Sequence, residues 1–154
     1  VAVMLNLFYE NMLRTEKRPF MGTDPQLRAI DSYLLVDEAD NIMRYEFDVL
    51  RRLLLQAREF GAGIILASQY LRHFKQGGTD YREPLLTWFI HKVPNVTPVE
   101  LSALGLTGSL GEFAERVKSL QNHQCLYKSF DVPGEVLLGL PFFELVRRGT
   151  EGPA

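Results

Sequence analysis

The sequence predicts an α/β fold: mostly parallel strands flanked by helices, finished by an antiparallel C-terminal β-hairpin. Three observations carry this reading. "YLLV" and "GIIL" are short, continuous apolar runs, the pattern of strands covered on both faces in a parallel sheet. Between them lies a crossover of about two dozen residues with helical spacing, long enough to bring the chain back to a parallel neighbour. Near the end, "HQCLYKSF" and "GEVLLGLPFFELV" alternate on either side of "DVPG", as the strands of a hairpin do.

The elements follow in order. In "VAVMLNLFYENMLR", Val1, Met4, Leu5, Phe8 and Met12 fall on one helical face. This pattern starts without an initiator Met or a capping residue, so we expect a piece of a larger protein, cut inside or just before a helix. "RTEKRPFMGTDPQLRAIDS" is a polar connector broken by Pro and Gly. After the first strand, Phe47, Leu50, Leu54 and Ala57 mark the buried face of a helix over 45–60, closed by Gly61. "GIILASQ" is the second strand, and "LTWFIHKV" a third candidate beyond the loop "YLRHFKQGGTDYREP". Pro94 and Pro98 break the chain before two helical patterns, "VELSALGL" and "LGEFAERVKSL". One domain is expected over 1–148, with 149–154 as a flexible tail.

With 154 residues, 46% of them hydrophobic, the chain can bury a sizeable core. A net charge of -2 gives no bulk signature of nucleic-acid binding, so any such contact has to be local. The single cysteine, Cys125, excludes an internal disulfide framework and fits a cytoplasmic, reducing setting. No apolar run approaches the ~18 residues of a membrane span.

The chemistry concentrates in "YLLVDEADN". A buried strand that runs straight into Asp37 and Glu38 places two carboxylates at its carboxyl end, where open α/β sheets bind ligands. Gln69 ends the next strand in the same way. Three polar side chains from neighbouring strands thus meet at one rim. The set suits phosphoryl transfer to water: Asp37 to hold Mg2+, Glu38 to orient or deprotonate the water, Gln69 to sense the γ-phosphate or the water. The competing reading is that the acids merely start a loop and cap the next helix.

"YLLVDEADN", a helix ending "LLQAREFGAG", and then "IILASQ" together resemble the Walker B and sensor region of the HerA/FtsK superfamily, hexameric P-loop ATPases that pump DNA or protein. The closing hairpin is similar to the C-terminal strands of the HerA-like branch. The resemblance implies a partial P-loop NTPase (RecA/FtsK-like) sheet, ATP and Mg2+ as cofactors, a homo-hexamer, and double-stranded DNA as partner, with nuclease or other subunits of a complex as further possibilities. It makes Asp37 the Walker B aspartate, Glu38 the catalytic glutamate and Gln69 the sensor. The pattern is incomplete, because GxxxxGK[ST] occurs nowhere; "GLTGSLGEF" has the glycines without the lysine.

Arg58 stands where related ring ATPases carry a basic residue, and is the candidate arginine finger for a neighbouring subunit; a solvated helix end is the plainer reading. Arg72, Lys75 and Arg82 share a loop with Tyr70, Phe74 and Tyr81, a mixture that suits nucleic acid, a neighbouring subunit, or simply an exposed loop. His123 and Cys125 lack a second pair at zinc spacing. Two other functions stay open: a non-translocating P-loop switch of AAA+ or signalling type, and a catalytically degenerate docking module.

Overall fold

The computed structural model describes residues 1–22, 28–141, 144, 146 and 147. The chain divides into two compact units, Val1–Leu85 and the part from Leu86 onward. The expected tail, 149–154, lies outside the described residues, as do Phe142, Phe143 and Leu145 of the closing segment.

The first unit opens with α1 (Ala2–Leu13). It packs against the helix over Asp48–Gln56, and of its apolar residues Leu5 and Met12 are buried while Val1 and Met4 stay exposed. The apolar face read from the sequence is therefore covered only in part. Strand β1 (Ser32–Val36) leads through a turn into the short helix α2 (Asp40–Met43) and then α3 (Asp48–Gln56). A 3-10 turn over Ala57–Phe60 and strand β2 (Ala62–Leu66) complete the crossover. The helix expected over 45–60 is thus observed over Asp48–Gln56 and continued by the 3-10 turn, so it starts three residues late. Glu46 takes a left-handed φ of 47°, which an L residue cannot carry inside a right-handed helix, and its Oε1 accepts the Gly78 N–H at 3.0 Å. Gly61 does close the segment, at φ 73°. A side chain there would collide with the Arg18–Asp31 ion pair, so glycine is required twice over.

β1 and β2 pair in parallel, Ser32 with Ala62 through Val36 with Leu66, as the strand–helix–strand order predicts. Beneath them Val36, Met43, Leu50, Leu53 and Ala57 form the core. The other face is open: Tyr33, Leu35 and Ile65 are exposed, contrary to the expected cover on both sides. Among the described residues this sheet has two strands, and burial is confined to one of its faces. A 3-10 turn over Leu71–Phe74 and a small hairpin, β3 (Lys75–Gln76) with β4 (Thr79–Asp80), follow.

In the second unit, β5 (Trp88–Ile90) is shorter than the strand expected from "LTWFIHKV". α4 (Pro98–Ser102) begins at a capping box, with Thr97 and Glu100 bonding each other's backbone N–H, and α5 (Leu110–Ser119) packs against it. β6 (Gln124–Lys128) and β7 (Glu135–Leu138) form the expected antiparallel hairpin, but its second strand is much shorter than "GEVLLGLPFFELV" suggests: it ends at Leu138, and Glu144 and Val146 are helical. The hairpin does not edge a parallel sheet. β6 pairs on its other side with β5, also antiparallel, so the "mostly parallel" expectation holds for the β1–β2 pair alone among the described strands. Cys125 is buried in this sheet, and burial pushes its thiol pKa up, which makes it a poor nucleophile.

The one-sided core has a measurable consequence. Leu50→Ala, at a fully buried position, is expected to destabilise the first unit by ~2–5 kcal/mol. Leu35→Ser, on the open face, is expected to change it by no more than ~0.5 kcal/mol. Native-state hydrogen exchange of the α3 amides measures both. Equal losses would mean that the open face is covered in solution.

Candidate functional site

The backbone ladder of the parallel pair runs one step past the strands. The Ala67 N–H donates to the Val36 carbonyl at 2.9 Å, and the Ala39 N–H to the Ala67 carbonyl at 2.8 Å. Everything that follows in sequence on either strand therefore emerges at one rim. Asp37 and Glu38 leave β1 there and Gln69 leaves the extension of β2, all three exposed. The structure brings these residues to a common edge, as the register requires.

Local conformation shapes the two acids differently. Asp37 Oδ1 accepts the Glu38 N–H at 2.9 Å, closing a tight turn directly after the strand. Glu38 sits at φ 48°, a left-handed conformation that costs a non-glycine residue on the order of 1 kcal/mol or more. Its carboxylate accepts from Asn41 Nδ2 at 3.2 Å. Neither acid caps α2, whose N-cap is Ala39 and which has no side-chain cap. The capping half of the plain reading is not met, whereas the acids do start a loop, with Asp37 bonding within the turn and Glu38 accepting from Asn41.

The basic candidates separate by position. Arg58 lies in the 3-10 turn that precedes β2, at the amino end of that strand, whereas the acids lie at the carboxyl end of the pair. A five-residue strand spans roughly 16 Å, so Arg58 does not share the rim of its own chain. Arg72 is near it: the residue is exposed, three beyond Gln69, with its guanidinium stacked 4.3 Å from the Tyr70 ring centroid. Lys75 is exposed at the start of β3. Arg82 is drawn inward and grips Asp80 with Nε at 2.8 Å and a terminal nitrogen at 2.5 Å, only 11% of its side chain exposed. Those bonds hold the Asp80 carboxyl below its ordinary pKa despite its partial burial. The cationic charge of this loop that faces solvent is thus Arg72 and Lys75.

Sequence reasoning missed a polar cluster behind the rim. Asp40, at the first position of α2, meets Ser68 and His73 from the loop after β2. The signal was present: Asp40 lies three residues past Asp37, and Ser68 adjoins Gln69.

Among the described residues, no group of three or more His, Cys, Asp or Glu is placed to hold a metal by itself. Magnesium is ordinarily held by one or two carboxylates plus water and phosphate oxygens, and exposed Asp37 fits that set. Among the described residues no helix is long and apolar enough to cross a membrane. No family model and no curated protein matches the chain.

The strain at Glu38 can be tested directly. Glu38→Gly is expected to stabilise the first unit by about 0.5–1 kcal/mol, since relief of the left-handed conformation outweighs the entropy of glycine. Glu38→Val should destabilise it by ~1 kcal/mol or more, because a β-branched residue tolerates that conformation worst. Chemical denaturation of the three proteins decides. A destabilising glycine would show that Glu38 is not strained.

Proposed function

We propose that this chain is part of an ATP-hydrolysing motor of the HerA/FtsK type, acting on double-stranded DNA as a ring of identical subunits. The observation that carries the reading is the rim itself. Two exposed acids, one in a strained conformation and neither capping a helix, leave the same edge of a parallel strand pair as an exposed glutamine three residues past β2. A costly backbone conformation held at an exposed polar residue is grounds for a functional hypothesis.

In this reading Asp37 holds Mg2+, which when bound supplies charge neutralisation at the β- and γ-phosphates. Glu38 accepts the proton of, or aligns, the attacking water. Gln69 hydrogen-bonds the γ-phosphate or that water. Arg58, remote from the rim of its own chain, serves only in trans; Arg72 serves at the rim, to a neighbour's phosphate or to DNA, with Lys75. The chain itself carries no GxxxxGK[ST], so the lysine and backbone cradle for the phosphates must come from elsewhere in the working assembly. Residues 1–154 alone are expected to bind Mg-ATP weakly and not to turn it over.

A docking module is the second reading, favoured by the exposed apolar residues Tyr33, Leu35 and Ile65 on the open face. A non-translocating switch shares the same rim chemistry, and the oligomeric state with and without DNA separates it from a motor.

The test is made in the assembly that carries the phosphate cradle. Glu38→Gln should abolish most hydrolysis and spare nucleotide binding, whereas Asp37→Ala should also weaken the metal-dependent part of binding. Subunits carrying Glu38→Gln are then mixed with subunits carrying Arg58→Ala, or Arg72→Ala, each inactive alone. A trans arginine, worth ~10³-fold or more in rate, predicts recovery of DNA-stimulated hydrolysis in mixed rings. Parental rates in both acid variants would reject the site.

A further inference from the structure

Ser68 lies at the centre of the cluster that joins the two loops of the rim. Its Oγ is 2.9 Å from Nδ1 of His73 and 3.4 Å from Oδ1 of Asp40. His73 Nδ1 and Asp40 Oδ2 are 3.8 Å apart, and both side chains are about three-quarters buried, at 26% and 22% exposed. Tyr70 meets the imidazole edge-on, with ring centroids 5.2 Å apart. Serine, histidine and aspartate together suggest a hydrolase triad, but the geometry forbids it. Serine and aspartate both address Nδ1, so the acid cannot orient the ring while Nε2 takes the serine proton.

The same geometry makes a clasp. The backbone ladder holds the chain as far as Ala67, and the next backbone anchor is the Tyr70 carbonyl, which accepts the His73 N–H at 3.1 Å. Gln69 lies between the two. The contact of Ser68 Oγ with the His73 ring closes the loop 68–73 around it, and Asp40 fastens that loop to α2. With a proton on Nδ1, the ring donates to Ser68 and the hydroxyl donates onward to Asp40, which satisfies all three groups at once. From Asp40 polar contacts continue to the catalytic candidate: Arg44 lies 3.6 Å from Asp40 Oδ2 and donates to Asn41 Oδ1 at 2.6 Å, and Asn41 donates to Glu38.

We propose that Asp40, Ser68 and His73 form a clasp that holds Gln69 in register with Glu38, making Ser68 and His73 positioning residues. Its bearing on hydrolysis rests on the nucleotide reading above; the clasp rests on geometry alone. A glutamine on an unclasped loop samples many positions, and a misplacement of ~1 Å at a reacting centre can cost ~10²-fold in rate.

The experiment has two arms. Backbone order parameters and imidazole nitrogen shifts are measured on this chain, as parent, Ser68→Ala, Ser68→Thr and His73→Leu. Order parameters at 68–72 are expected to fall from ~0.85 to below ~0.6 in Ser68→Ala and His73→Leu and to recover in Ser68→Thr, which keeps the hydroxyl. The His73 Nδ1 resonance should move in Ser68→Ala alone of the two serine variants. Unchanged order and an unmoved resonance in Ser68→Ala would overturn the clasp. In the working ATPase, Ser68→Ala should lower kcat ~10-fold or more with KM for Mg-ATP within about twofold, again rescued by threonine. A disordered loop with undiminished kcat would leave the clasp standing as a structural device and remove Gln69 from the hydrolytic reading.

Discussion

The parallel register of β1 against β2 is the constraint on which the first unit depends. Because Val36 pairs with Leu66, both strands end together, and residues far apart in sequence are delivered to one edge. A slip of one residue would turn Val36 away from the core and Leu35 into it, and would send Asp37 and Glu38 out of step with Gln69. The register is fixed by burial on one side only. Val36 and Ala62 are buried on the helical side, while the opposite side offers Tyr33, Leu35 and Ile65 to solvent. Covering one face is enough to choose a register, because the choice is between burying Val36 and burying Leu35.

The crossover between the strands sets the conformation of the acids. It must leave β1 at the rim, turn back across one face and re-enter at the amino end of β2. The turn immediately after the strand is so tight that Asp37 bonds the next N–H and Glu38 adopts a left-handed conformation. Strain is thereby concentrated on the residue that the nucleotide reading makes the base. The polar cluster of Asp40, Ser68 and His73 lies behind this turn, where it couples the two loops without occupying the rim.

Much of this was legible in the sequence for identifiable reasons. The βαβ unit, the α4 and α5 helices and the start of the C-terminal hairpin follow from periodicity, proline breaks and turn residues, all of them local signals. The late start of α3 was not legible: Glu46 stands before it in a left-handed conformation, its carboxylate accepting the distant Gly78 N–H. Nor was the open face: "YLLV" reads as buried on both sides, yet a run of apolar residues records what a strand could bury and not what covers it. At the rim, strand ends pointed to Asp37, Glu38 and Gln69, but side-chain partners such as Arg82 with Asp80, or Ser68 with His73, depend on loop geometry that no spacing rule encodes.

The central claim, that this rim receives a metal-bound nucleotide phosphate, is tested most directly by paramagnetic broadening with manganese–ATP on the isotope-labelled chain. The method registers weak binding, which is what a chain lacking the phosphate cradle should show. The account predicts that the amides of residues 37–39 and 68–70 broaden first, that excess Mg-ATP reverses the effect, and that Asp37→Ala removes it. Broadening centred on the other exposed acids, such as Asp48 or Asp131, or broadening at the rim that survives Asp37→Ala, would contradict it.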